Sequence, residues 1–391
     1  MNRIDSVIDK EEIIIETPKE TKEEMGSKKK KKPRKRGSKI SRFLTTIFNL
    51  GTIGIIVVMF LLYGPFIGFR EWLVTTAMTT MTHQYFATWF YDDDTIKYIL
   101  DKNKVEEIIE DTNISEINFA NGNSTNYENE YERAILERDP SNNDYKIIEI
   151  NEKNYFGYLV AVYDPSRIET VYTDNLGKSG QYLTTMAKNA DALIAINGGG
   201  FDDPNFNSTG GSPLGITMSK GKMVTSKSYS GSGGVIGFNE DNILILEKMT
   251  LAQVKQKKIR DAVTFGPFLI VNGKPSKIVG NGGWGDAPRT VIAQRKDGIV
   301  LFLVLDGRRA GKLGADMDDL IEVMQRYGAY NAANLDGGTS SVLVVNNVIV
   351  NDPIDSSGAH KTRPIATGFI LKKDDADNSD HKLVEGKLSD N

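Results

Sequence analysis

Three kinds of apolar pattern divide this chain. The first is a single long run. Phe43 to Phe69 holds no charged residue and is bracketed by Arg42 and Arg70. About twenty apolar residues suffice to cross a bilayer as a helix, so the run predicts one transmembrane helix over 43–69. The second kind is a series of short apolar runs broken by turn residues. Tyr158 to Val162 and Ala192 to Ile196 read as strands. Hairpins are predicted over 216–224 with a turn at Lys220-Gly221, and over 235–246 with a turn near Asn239 to Asn242. Others are expected at Asn272-Gly273 after Phe268 to Val271, over 290–305 around Lys296-Asp297-Gly298, and over 342–350 at Asn346-Asn347. The third kind is helical spacing. Met317, Leu320, Ile321, Met324 and Tyr327 share one face. Asp316 stands at the N-cap position with Asp319 three residues on, and Gly328 stands where a helix ends. Ser179 to Asn189 and Asp92 to Asp111 read as further helices.

Many hairpins with a few packed helices predict an α+β fold of mixed sheets, preceded by the membrane helix. The expected organisation is a disordered basic tail over 1–42, the span over 43–69, juxtamembrane helices and a polar stalk over 70–145, a folded domain over 146–372 and a disordered acidic tail over 373–391. Within the juxtamembrane part, Glu71 to Phe90 mixes aromatics with threonines. It reads either as an interfacial helix or as a segment packed on the outer domain.

The chain of 391 residues carries a net charge of −4, but the charge is uneven. Lys28 to Lys32, Arg34 to Arg36, Lys39 and Arg42 lie just before the apolar run. The positive-inside rule then puts the N-terminus in the cytoplasm and the domain outside, giving a single-pass protein of the cell membrane. A cleaved signal peptide is the rival reading, although its apolar core is usually shorter. Beside a span, topology and anionic head groups explain the basic block better than nucleic acid does, so no nucleic-acid partner is expected. Oligomeric state is left open.

There is no cysteine, which excludes disulfides and thiolate chemistry. The histidines are His83, His360 and His381, and only His360 could serve a serine hydrolase in the domain. No zinc-protease motif, nucleophile elbow or phosphate-binding P-loop occurs. Carboxylates, amides and arginines are left to carry any chemistry. They gather where apolar runs end in glycine: Asn197-Gly198-Gly199-Gly200-Phe201-Asp202, Asp306-Gly307-Arg308, and Asn334-Leu335-Asp336-Gly337-Gly338-Thr339-Ser340. Asp306 and Asp336 could act as an acid and a base or nucleophile, as glycosyl transfer requires, or each could be a turn aspartate bonding its own backbone. The glycines after Asn197 could present N–H groups to an anion or simply allow a tight turn. Arg289, Arg308 and Arg363 suit phosphate or a structural ion pair. Ser340 suits a ligand or a cap. Trp284, set among Gly280, Gly282, Gly283 and Gly285, suits sugar stacking or loop anchoring.

The order of these pieces, with Gly266-Pro267, Pro288-Arg289-Thr290 and Arg363-Pro364-Ile365-Ala366-Thr367, resembles the phosphodiester glycosidase family over about 146–372. The resemblance implies an enzyme that releases a sugar from a sugar-1-phosphodiester. It implies Asp306 and Asp336 as catalytic residues. Asn197, Gly198, Gly199, Asp202, Arg289, Arg308, Gly337, Gly338, Ser340 and Arg363 are implied as substrate contacts. The expected substrate is a sugar-phosphate glycan of the cell envelope or an exopolysaccharide. Non-catalytic glycan binding and transfer of polymers to the wall are the alternatives. No cofactor is demanded by the sequence; a divalent cation near the acidic residues is compatible with it. The chain departs from the family pattern at Thr339, where a third glycine is common, and at Asp316 and Asp319, where threonine and glutamate are common.

Overall fold

The computed structural model describes residues 39–79, 83–119, 126–202, 209–355 and 357–374. The basic tail up to residue 38 and the acidic tail from residue 375 lie outside the described residues. The chain divides into two units, Met1–Val58 and Met59–Asn391.

Helix α1 is Lys39–Tyr63. It is long and apolar enough to cross a membrane, and none of its most apolar stretch is buried. It stops six residues short of the predicted end, because Gly64 and Pro65 intervene. A side chain at Gly64 would collide with the Phe60 carbonyl, and proline cannot continue the helical hydrogen bonds. The chain restarts as α2, Ile67–Thr79, followed by α3, Tyr85–Thr88, and α4, Asp93–Lys102. The helix expected over 92–111 therefore ends at Lys102, and β1, Lys104–Glu106, follows. Leu62, Val74, Ala77, Ala87, Tyr91, Ile96 and Ile99 form a core of their own, so these short helices make a packed collar.

The segment expected to be a stalk is also packed. It contains α5, Glu130–Leu136, whose Ile135 and Leu136 are buried, and Ile117 is buried in another cluster. The folded part thus begins well before residue 146.

Strands β2, Tyr145–Asn151, β3, Phe156–Val162, and β4, Ile168–Tyr172, lead into α6, Leu183–Asn189, and β5, Ala192–Asn197. Next come β6, Ile216–Ser219, β7, Lys222–Ser226, β8, Gly234–Asn239, and β9, Leu244–Glu247. Helix α7, Leu251–Gln256, precedes β10, Ile259–Phe265, β11, Phe268–Val271, β12, Lys274–Pro275, and β13, Lys277–Val279. The chain continues through β14, Arg289–Arg295, β15, Val300–Asp306, α8, Met317–Arg326, and β16, Ala329–Asn334. It closes with β17, Leu343–Val345, β18, Val348–Ile349, and β19, Thr367–Lys372. The expected turns are present: Lys220-Gly221, Asn272-Gly273 and Asn346-Asn347 all have positive φ at both residues, as two-residue hairpins require.

Three sheets carry the domain. One has seven strands in the order β12-β11-β16-β14-β15-β3-β2, and two have five, β7-β6-β10-β8-β9 and β18-β17-β5-β19-β4. Strand β15 shows why the seven-stranded sheet is central. Val300, Phe302 and Val304 join a core with Ile194, Ile196 and Phe369 of one small sheet and Phe238 and Leu246 of the other. Leu301, Leu303 and Leu305 face the opposite core, with Met317, Leu320 and Met324 of α8. A strand buried on both faces reads as a continuous apolar run, which is what the sequence displays. Its last residue, Asp306, keeps the parity of Val304.

Candidate active site

Most of the separated motifs meet because one loop, 334–338, is pinned by them. Leu335 N–H donates to the Thr290 carbonyl at 2.8 Å, Asp336 N–H to Gly198 at 3.1 Å and Gly338 N–H to Pro288 at 2.8 Å. Asn334 donates from its backbone to Pro267 and from Nδ2 to Gly266. Asn197 is the hub. Its Nδ2 donates to the Asp336 carbonyl at 2.6 Å, while its Oδ1 accepts from the Thr290 hydroxyl at 2.7 Å and the Val342 N–H at 3.2 Å. Asn197 is 1% exposed, so it builds the loop rather than lining an open surface.

Gly198 and Gly199 have a different role from the anion cradle that their sequence suggested. Their N–H groups donate to the carbonyl and hydroxyl of Thr367. A Cβ at Gly198 would lie 2.7 Å from that hydroxyl, and one at Gly199 2.6 Å from the Thr264 carbonyl. These glycines let neighbouring strands approach closely.

Three arginines surround the Gly337-Gly338 turn. Arg289 is buried at the start of β14. It donates from Nε to the Ala315 carbonyl and from Nη2 to the carbonyls of Trp284 (2.8 Å) and Gly285 (2.5 Å). Burial lowers its pKa to about 10, opposed by Asp316 and Asp286, so it stays charged at neutral pH. Arg308 has a left-handed backbone, with φ of 60°, and donates from Nη1 to the Thr339 hydroxyl and the Ile354 carbonyl. Burial, and then the nearby Arg363, hold its pKa down. Arg363 donates from Nε to Ser340 Oγ at 2.8 Å and from Nη2 to Asp336 Oδ2 at 3.3 Å, and its guanidinium lies over the Phe201 ring. Among the described residues, no hydrogen bond engages Arg289 Nη1, Arg308 Nη2 or Arg363 Nη1. A methyl group on Gly337 would lie 3.6 Å from Arg289 Nη1, and one on Gly338 2.9 Å from Arg308 Nη2. The missing side chains leave room beside the guanidiniums.

The two expected catalytic aspartates differ. Asp336 accepts from the Gly337 N–H and from Arg363, and its side chain is 16% exposed. Asp306 is 3% exposed; its two oxygens accept from Asn351 Nδ2 at 2.8 Å and Asp352 N–H at 2.9 Å. Burial raises its pKa, opposed by those hydrogen bonds. Asn351 also binds the Ser341 carbonyl and the Leu343 N–H, so Asp306 anchors the segment that carries Ser340. Ser340 is itself buried and accepts from Arg363. Asp202 is exposed, with its N–H donating to the Ser212 carbonyl, and it borders residues outside the described set.

Thr290, Thr367, Phe201, Asn351 and Asp286 were not singled out from the sequence. The first three lie inside the recognised motifs, where position was the available signal. Trp284 anchors its loop: its carbonyl holds Arg289 and its ring packs against Phe265. Asp286, Asp316 and Asp319 bring one carboxylate oxygen each within 4.8 Å of one another. The last two form the capping box of α8. Burial and the neighbouring acids push Asp319 up to about 6, against its hydrogen bond from the Asp316 N–H.

Residues 190–372 match the phosphodiester glycosidase family. A curated relative, the SPbeta prophage-derived uncharacterized protein YomE of Bacillus subtilis, is 25% identical over 214 residues, covering 52% of this chain. The match covers 32% of that protein, so this chain spans about a third of its length. Among solved structures, the zebrafish N-acetylglucosamine-1-phosphodiester alpha-N-acetylglucosaminidase catalytic domain, auto-inhibited by its pro-peptide, is 20% identical with a TM-score of 0.49, covering 59% of this chain and 83% of that one. A putative exported protein of Burkholderia pseudomallei is 17% identical with a TM-score of 0.41, covering 56% and 74%. The resemblance carried by the motifs is thus borne out: over residues 190–372 the chain matches the phosphodiester glycosidase family.

Proposed function

We propose that this chain hydrolyses sugar-1-phosphodiester linkages, with the three arginines binding the phosphate and Asp336 acting at the anomeric carbon. The supporting observation is the placement of three guanidiniums and one partly exposed carboxylate around a side-chain-free turn. Guanidinium matches phosphate geometry through paired N–H donors. Breaking the bond between the anomeric carbon and oxygen expels a phosphate monoester, a weakly basic leaving group, and fixed positive charge stabilises it as it departs. Such a reaction needs little help from a general acid. One carboxylate, acting as nucleophile or as base toward water, is then enough. Asp306 serves as a positioning residue in this reading, through Asn351 and Ser341.

The substrate class is a glycan of the cell envelope, or an exopolysaccharide, reached by an enzyme held at the membrane by α1 with its N-terminus in the cytoplasm. Supporting this are the exposed apolar surface of α1 and the basic block before it. The direct test incubates the full chain in detergent with UDP-N-acetylglucosamine and a panel of sugar-1-phosphodiesters, and looks for free sugar by mass spectrometry. Release that vanishes in Asp336→Asn is the expected result. A folded protein that only binds the panel, or that passes sugar phosphate to an added glycan acceptor without releasing sugar, would overturn hydrolysis in favour of binding or transfer.

A further inference from the structure

The collar and the arginine cluster are joined by a chain of hydrogen bonds. It begins at Thr75, a fully buried residue of α2. Its hydroxyl donates to the helix backbone and accepts from Asn281 Nδ2 at 3.0 Å. Asn281 Oδ1 accepts from the Gly283 N–H at 3.0 Å, and Asn281 N–H donates to Asn103 of the collar at 2.9 Å. The next two residues, Trp284 and Gly285, supply the carbonyls that hold Arg289 Nη2. Four glycines of this loop, Gly280, Gly282, Gly283 and Gly285, have positive φ, so its path departs from what other residues adopt easily. The collar packs against it: side chains at Gly280 and Gly283 would strike Asn103, and one at Gly285 would strike Thr76. Apart from the Trp284 ring, which packs against Phe265, the loop has little side-chain packing of its own and takes its shape from what it rests on.

We infer that α2 is a positioning element of the anion site, acting through Thr75, Asn281, the Gly283 N–H and the Trp284 and Gly285 carbonyls on the Arg289 guanidinium. The inference rests on the reading of the arginine cluster as an anion site. With Nη2 and Nε tethered, the direction of Nη1 is set by where those carbonyls lie. Displacing the loop rotates the planar fork as a unit, which is how a residue remote from the phosphate can alter affinity for it.

The test measures inorganic phosphate binding by the full chain in detergent, by calorimetric titration, with melting temperature recorded for every variant. Arg289→Gln is the reference for loss of the site. Thr75→Val keeps shape and removes the hydroxyl; it should weaken phosphate binding about 3–10-fold, the value of one ordinary hydrogen bond. Thr75→Ser should restore binding to near the parent value. Asn281→Ala, on the half-buried loop, should match Thr75→Val, and the double variant should be no weaker than either, because both break the same link. Parent-like binding by Thr75→Val and Asn281→Ala, with Arg289→Gln defective, would overturn the inference while sparing the anion site. Additive losses, or failure of serine to rescue, would also overturn it. A parent that does not bind phosphate, or an Arg289→Gln that binds as the parent does, would overturn the anion-site reading and the inference with it.

Discussion

Asp306-Gly307 and Asp336-Gly337 are the same dipeptide following apolar strands two places apart in one sheet. Strand β14 lies between them. Their carboxylates nevertheless live in different worlds. Asp306 continues the parity of Val304 and is itself buried, bonded to Asn351 and the Asp352 N–H with Arg309 3.7 Å away. Asp336 lies two residues beyond its strand, where the loop has turned outward past Asn197 to meet Arg363. A strand end fixes a side chain in space; whether that side chain is structure or chemistry depends on the two residues that follow the last ladder bond.

That contrast can be broken most directly by paired amide substitutions. Asp336→Asn should lower turnover of a sugar-1-phosphodiester by about 10²–10⁴-fold with an unchanged melting curve, the range for a lost acid–base group. Turnover near the parent level would erase the distinction between the two aspartates. Arg363→Gln should come next, weakening phosphate affinity about 10–100-fold through loss of a charge-assisted contact, read by titration. Asp306→Asn should show the opposite profile. Its new amide N–H would face the Asn351 amide or the Asp352 N–H, donor against donor, at a cost of about 1–3 kcal/mol. The melting temperature should fall by several degrees, while turnover per folded molecule changes less than tenfold. A large loss of turnover in a stably folded Asp306→Asn would return it to the chemistry.

The smallest effect concerns a third carboxylate. Asp319 sits near 6 in the folded protein, against an ordinary value of 3.8. Between those values the folded state holds the proton that the unfolded chain has released. Stability therefore declines as pH rises through that window and levels off above it. Asp319→Asn keeps an oxygen for the Asp316 N–H and cannot ionise. It should match the parent near pH 4 and melt a few degrees higher near pH 7, as followed by thermal denaturation in parallel buffers.

Local chemistry was legible in the sequence. Positive-φ pairs such as Lys220-Gly221 and Asn346-Asn347 announce their hairpins, and the stripe from Met317 to Tyr327 announces α8. Distant partnerships were not. Nothing near Asp306 reveals that Asn351 and the Asp352 N–H will each take up one of its oxygens, and nothing near Gly198 reveals Thr367. Sparse apolar residues also mislead: Ile117, Ile135 and Leu136 are few among polar neighbours, so a packed segment reads as a stalk. The apolar helix ends earlier than expected because composition continues past Gly64-Pro65 although the helix does not.

The Asn197 carboxamide has a kinetic consequence. Its partners lie 93, 139 and 145 residues away along the chain. Such closures are entropically costly before they are rewarded, which puts them late on a folding route dominated by nonlocal strand pairing. The pairing of β3 with β15 and of β4 with β19 carries the same dependence upstream of residue 190. The loop that Asn197 holds should thus form during refolding only with the last cooperative phase, never in a partly assembled species. Nascent chains would lack this loop's geometry until nearly the whole domain had left the ribosome.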